Sequence, residues 1–263
     1  MTSKTEILGV GVSATNLKMT VGVIDQWIRR HEAQYVCVTG VHGLMESYRT
    51  AQIRQVHNAA GLVVPDGMPL VWLSRLKGRH FVDRVYGPDL MLAVCERSAH
   101  RGYRNFFYGG APGVAELLAD RLRARFRGLN VVGIYSPPFR ALTTDEDAEL
   151  TATIRRARPD IVWVGISTPK QELWMAQHVQ RLQSAVLLGV GAAFDFHAGL
   201  KPQAPRWMMR SGLEWLFRLI QEPARLGPRY LKNNPQFLGL ILLETFGIRP
   251  RRAEYARFGD SIS

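Results

Sequence analysis

A chain of 263 residues that is 46% hydrophobic and 21% charged can bury a full core, which marks it as globular and not a disordered chain and leaves room for one large domain or a domain with an appendage. Its formal charge of +12 calls for an anionic partner, whether nucleic acid, an anionic membrane surface or a phosphate-bearing substrate, and does not choose among them. Two cysteines without paired spacing, Cys37 and Cys95, suggest neither a disulfide framework nor a zinc site and fit a reducing cytoplasm. No signal-peptide h-region opens the chain, and no stretch reaches the roughly 20 apolar residues of a spanning helix, so the chain is not expected to cross a membrane by itself.

From the N-terminus, strand-like runs fall at residues 6–12, 35–39, 61–64, 105–108, 130–134, 161–164 and 185–189, with amphipathic stretches of helical length between them, such as 113–127 and 145–158. That alternation predicts a layered α/β fold with a mostly parallel sheet over residues 1–200. Beyond residue 200 the strand-like runs stop. Three helical segments follow, punctuated by Pro205, Pro223, Pro228 and Pro235. Residues 201–263 hold 11 Lys+Arg against 5 Asp+Glu, and Trp207, Trp215, Phe217, Tyr230 and Phe237 are interleaved with Arg210, Arg218, Arg225, Arg229 and Lys232. This mixture suits a bilayer interface, and it predicts docking on an anionic membrane through about residues 204–257. The alternative is a helical cap whose aromatics fill the core.

The stretch 61–67, GLVVPDG, sets Asp66 after an apolar run and beside Gly67, where a carboxylate can serve as a general base; the competing reading is a common Pro-Asp-Gly turn. Gly109 and Gly110 open GGAPG between a strand and a helix, so free amides and the helix dipole could hold a phosphate. The stretch 9–14, GVGVSA, reads as turn chemistry, because it lacks the acidic partner of a dinucleotide fingerprint. In Thr168-Pro-Lys-Gln-Glu172, threonine as N-cap, proline in the first turn and glutamate near the dipole account for a helix start. Lys170 and Gln171 are surplus to capping and able to reach a ligand over the strand end. Asp145-Glu-Asp147 superficially resembles an acidic metal triplet, but Thr143 and Glu146 have capping-box spacing and capping is preferred. No paired-ligand histidine spacing occurs, so no metal or other cofactor is proposed; His42 and His197 alone fall near suspected strand ends.

PDG (65–67), DRVYGPDL (83–90), FFYGGAPG (106–113), PKQELW (169–174), GVGAAFDFHAG (189–199) and APRWMMRSGLEWLFRLIQEPARL (204–226) stand in one order over most of the chain. Together they resemble the WecG/TagA/CpsF glycosyltransferases. The resemblance implies a Rossmann-like body with a C-terminal membrane-docking segment. It also implies inverting, metal-independent transfer of a hexose-type sugar from a UDP-sugar to a polyprenyl-diphosphate-linked sugar in bacterial surface-polysaccharide assembly. On that resemblance Asp66 is the base, Gln171 and Arg84 line the pocket, Asp195 contacts the nucleotide, and Arg218, Arg225 and Arg229 close over the diphosphate. Two departures stand out. The family's Thr-x-Asn is Thr39-Gly-Val-His42 here, with His42 the candidate substitute, and its Arg-Ala-Pro is Gln203-Ala-Pro205. The expected place is the inner face of the bacterial cytoplasmic membrane, with the oligomeric state open, including a homo-oligomer. A non-catalytic membrane or nucleotide-sugar binding module is the competing reading. Nucleic-acid binding rests on charge alone, and no recognised module supports it.

Overall fold

A computed structural model of the chain describes residues 3–248. It opens with a hairpin, β1 (Lys4–Ile7) and β2 (Val10–Ser13). Sequence alternation had suggested one strand over residues 6–12. Leu8 and Gly9 instead take positive φ, +50° and +83°, the geometry of a two-residue hairpin turn that reverses the chain between the apolar positions.

The body then runs α1 (Leu17–Arg29), β3 (Gln34–Thr39), α2 (Val41–Arg49), α3 (Ala51–Ala59), β4 (Leu62–Pro65), α4 (Met68–Leu76), α5 (Gly87–Arg101), β5 (Arg104–Gly109), α6 (Val114–Arg125), β6 (Asn130–Tyr135), α7 (Thr144–Ala157), β7 (Ile161–Gly165), α8 (Lys170–His178) and β8 (Val186–Gly189). The chain continues through α9 (Ala193–His197), α10 (Arg206–Arg210), α11 (Glu214–Gln221) and α12 (Pro223–Thr245). Strands β3 to β8 form one sheet in the order β4-β3-β8-β7-β5-β6, with every pair parallel. This is an α/β fold with Rossmann-like layering.

Successive strand residues point to opposite faces, so near-continuous apolar runs feed two cores. Tyr35, Cys37, Phe106, Tyr108, Val162, Val164 and Leu187 pack on one face, with Leu44 and Met45 of α2, Trp174 and Met175 of α8, and the hairpin. Val36, Phe107, Ile161, Trp163, Val186 and Leu188 pack on the other, against α1, α5 and α6. Both cysteines are buried and unpaired.

The C-terminal helices are joined to this body. On α12, Leu226, Asn233, Phe237 and Leu240 recur along one inward stripe, and Phe237 and Leu240 belong to the first core. Pro228 and Pro235 do not punctuate the segment as the sequence reading proposed; they lie inside α12. Each removes one helical hydrogen bond. The residues four positions earlier, Ala224 and Leu231, are exposed, so water can satisfy the freed carbonyls, while Pro223 sits at the helix start where proline is suited. Residues 249–257 of the expected docking segment lie outside the described residues.

Candidate active site

The carboxyl ends of β3, β4, β7 and β8 open into a cavity of about 610 Å³, roofed by residues of α10, α11 and α12. This is where open parallel sheets place their ligands. Of the sequence-derived candidates, Thr39, His42, Asp66, Gly67, Arg84, Gly110, Gln171, Asp195, Arg218, Arg225 and Arg229 all line it.

Asp66 follows the last residue of β4, and its N–H donates to the Thr39 carbonyl at 2.9 Å, which ties it to the neighbouring strand end. Arg84 Nε donates to the Asp66 main-chain carbonyl, and its Nη2 lies 3.4 Å from Asp66 Oδ1. The same Nη2 lies 2.5 Å from Glu214 Oε2, brought in by α11. The guanidinium also stacks over the Tyr86 ring at 4.3 Å. Enclosure pushes the Asp66 carboxyl above the usual carboxylate range; Arg84 opposes this, Glu214 adds to it, and Arg218 and the Gly87 N–H at the start of α5 oppose it further. Gly67 has an ordinary φ of −105°, and a Cβ there would meet only normal van der Waals contacts, so its value is the open space left on the cavity side.

Thr39 and His42 are held from opposite directions. His57 is buried with Nδ1 facing the Ile53 carbonyl at 3.0 Å; a carbonyl only accepts, so Nδ1 carries the proton and Nε2 accepts from the Thr39 hydroxyl at 3.1 Å. His42 Nδ1 lies 3.1 Å from Asn233 Nδ2 of α12, whose Oδ1 accepts from Arg49 Nη2 at 2.7 Å. Burial, helped by the Arg229 charge, lowers His42 to about 4, so the ring is neutral near pH 7. Gln171 is oriented by Glu172. Its Nε2 donates to Glu172 Oε1 at 3.1 Å, and Oε1 of the amide has no hydrogen-bond partner among the described residues. An unmet buried acceptor costs about 1–3 kcal/mol, which a ligand N–H or O–H would recover.

Arg218, Arg225 and Arg229 converge on the roof. Burial and the like charges of Arg218 and Arg229 lower the pKa of Arg225. Arg225 pairs with Glu222, which Lys201 also reaches at 2.7 Å, and Lys201 is 3.0 Å from Asp195. Arg218 lies over Phe196 at 5.9 Å, and neither Arg218 nor Arg229 has a salt-bridge partner among the described residues. Such a cluster favours a multiply charged anion.

Two candidates fall outside the lining. Lys170 is exposed at the start of α8, pointing its charge to solvent. Gly109 serves the sheet: with φ +137°, any Cβ would come within 2.6 Å of the Gly165 backbone, so glycine lets the ends of β5 and β7 close together. Ala111, Pro112 and Gly113 of the same turn are exposed. Thr168 is not the N-cap. Pro169, joined to it by a cis peptide bond, holds that position, and the Thr168 hydroxyl donates to Glu172 Oε1 at 2.9 Å. The capping-box reading at Thr143 and Glu146 is met in full. Asp147 pairs with His178 and Arg181, 2.8 and 2.7 Å away. His197 faces the Pro88 carbonyl at 2.9 Å, outside the lining.

Sequence reasoning missed Glu214, Lys201 and Asn233. Glu214 carried a signal: with Glu222 and Glu244 it is one of three acids between residues 201 and 248, and it sits in an otherwise apolar and basic run.

A parallel sheet whose strand ends open into a cationic cleft beneath helices defines an α/β protein of the Rossmann-like class. The chain matches the model of the WecG/TagA/CpsF glycosyl transferase family over residues 5–251, and it belongs to that family. It is 29% identical over 197 residues to an N-acetylglucosaminyldiphosphoundecaprenol N-acetyl-beta-D-mannosaminyltransferase of Bacillus spizizenii, covering 75% of this chain and 74% of that protein. A Staphylococcus aureus protein of the same name is 27% identical over 240 residues, covering 90% of this chain and 91% of its own.

Proposed function

We propose that the chain transfers an N-acetylhexosamine-type sugar from a UDP-sugar to a polyprenyl-diphosphate-linked sugar, with inversion and without a metal. The observation that carries this reading is the placement of Asp66 and the arginines 218, 225 and 229 around one cleft. Asp66 takes the proton of the acceptor hydroxyl as its oxygen bonds to the anomeric carbon. The bond from that carbon to the diphosphate breaks on the opposite side, and the electron pair leaves with UDP. Arginine forks meet the charge that develops there. Gln171 Oε1 offers an acceptor to a donor N–H or O–H. The names of the relatives support both the acetamido sugar and the lipid-linked acceptor. The purified protein, given a panel of UDP-sugars and a short polyprenyl-diphosphate-linked N-acetylglucosamine, is expected to release UDP and extend the acceptor with one donor far above the others. Binding of donor without any transfer would instead support the non-catalytic reading.

Among the described residues no helix is long and apolar enough to cross a membrane. A peripheral position on the inner face of the cytoplasmic membrane is supported by the exposed side of the C-terminal helices. Ile220 is 69% exposed and Leu231 79%, and Leu238 and Leu242 continue the Leu231 stripe away from the core-facing side of α12. Arg210 and Lys232 are exposed among them, supplying the electrostatic part of a two-part attachment. Burying one such aliphatic side chain contributes about 1.5–3 kcal/mol, so Ile220→Glu with Leu231→Glu is expected to reduce co-sedimentation with anionic liposomes by about tenfold or more. Wild-type binding by this folded variant would rule out docking through these helices.

A further inference from the structure

The geometry assigns Glu214 a positioning role. By holding the outer nitrogen of Arg84, it keeps that cation from closing on the Asp66 carboxylate, so that this contact, made at the start of α11, tunes Asp66 as a base. The inference rests on the reading of Asp66 as the base.

Arg84 is the cation nearest to Asp66, and one of its nitrogens is shared. Nη2 lies 2.5 Å from Glu214 Oε2 and 3.4 Å from Asp66 Oδ1, so Glu214 has the closer contact. Nε is occupied by the main-chain carbonyl of Asp66, and the face of the guanidinium by Tyr86 at 4.3 Å, so the group has little freedom to swing away. The Arg84 and Glu214 side chains are only 13% and 12% exposed, which leaves their interaction weakly screened. The other groups facing Asp66 are Arg218 from α11 and the Gly87 N–H from α5; both favour its charged form, and Glu214 is the group that opposes them.

Glu214 is the first residue of α11, and Trp215, Leu216 and Ile220 of that helix are exposed apolar residues. A helix read as membrane-facing on one side therefore ends, on its inner side, at the guanidinium that neutralises the base. Because α11 carries both Glu214 and Arg218, which act on Asp66 in opposite directions, the role of Glu214 is isolated by changing its charge with the helix in place.

Removing the Glu214 charge acts on Asp66 twice in one direction: a repelling anion is lost and Arg84 is released toward the carboxylate, and both lower its pKa. In Glu214→Gln the acid limb of kcat/KM is therefore expected to move to lower pH by about one unit, the low end of what a close opposite charge does. The plateau rate should fall as well, because a weaker base accepts the proton less readily. Glu214→Asp, which keeps the charge on a shorter arm, should give an intermediate limb. Both variants are compared by circular dichroism and by UDP affinity with a short-chain soluble acceptor, so that membrane binding does not enter. A plateau loss with an unmoved limb in both variants would reduce Glu214 to a structural tie and overturn the inference. Full activity of Asp66→Asn would instead remove the base reading beneath it.

Discussion

Asp66→Asn is expected to lower the rate of sugar transfer by about 10²–10⁴, the usual contribution of general-base help, while donor affinity changes little. The variant should fold. Two anchors of this residue use its main chain only, the N–H to the Thr39 carbonyl and the carbonyl that receives Arg84 Nε, and neither depends on the carboxylate. The amide removes the acceptor of the proton, together with the negative charge that faces Arg84 Nη2 3.4 Å away. The pH profile gives a second reading of the same residue. A base works when deprotonated, and enclosure raises the Asp66 pKa, so wild-type kcat/KM should rise with pH through a limb above the ordinary carboxylate range. That limb should be missing in Asp66→Asn. Near-wild-type turnover by a folded Asp66→Asn protein would sink the assignment.

The second large effect concerns the roof. Arg218→Gln with Arg225→Gln is expected to weaken UDP binding, followed by calorimetry, by about 10²-fold or more, since hydrogen bonds to charged groups each contribute about 1.5–3 kcal/mol and Arg225 is half exposed and partly screened. Stability should change little, because the loss of the Arg225–Glu222 pair is offset by relief of the burial and of the like charges of Arg218 and Arg229 that lower the Arg225 pKa. The wild-type affinity should fall with added salt, and less steeply in the variant. UDP affinity within threefold of wild type would show that these arginines do not hold the diphosphate.

Much of the fold was legible because it is written in local pattern. Continuous apolar runs such as Ile161–Gly165 mark strands buried on both faces, and the structure places them within a residue or two of the reading. Thr143 and Glu146 announced a helix start correctly because a capping box is closed by residues three apart. The same local logic failed at residues 6–12, where alternation survives a hairpin and the positive φ of Leu8 decides the path. It failed again at Thr168, whose hydroxyl is drawn to the buried Glu172 carboxylate instead of to the helix end. The prolines of α12 misled for a related reason: they weaken a helix locally, but Phe237 and Leu240 hold that helix to the core from elsewhere.

The amino-acid order by itself determined the α/β alternation, the basic and aromatic C-terminal segment, and the placement of Asp66, Gln171 and Asp195 just beyond strand ends, since each follows from neighbours a few residues away. Which candidates share one cavity was decided only in three dimensions. Gly109 was claimed by the close approach of two strands, Lys170 by solvent, and Arg84 by two carboxylates, one of them 130 residues further along the chain. Periodicity records which way a side chain faces relative to its own backbone; it cannot record which distant helix folds over that face, and the charge balance around Asp66 depends on that helix.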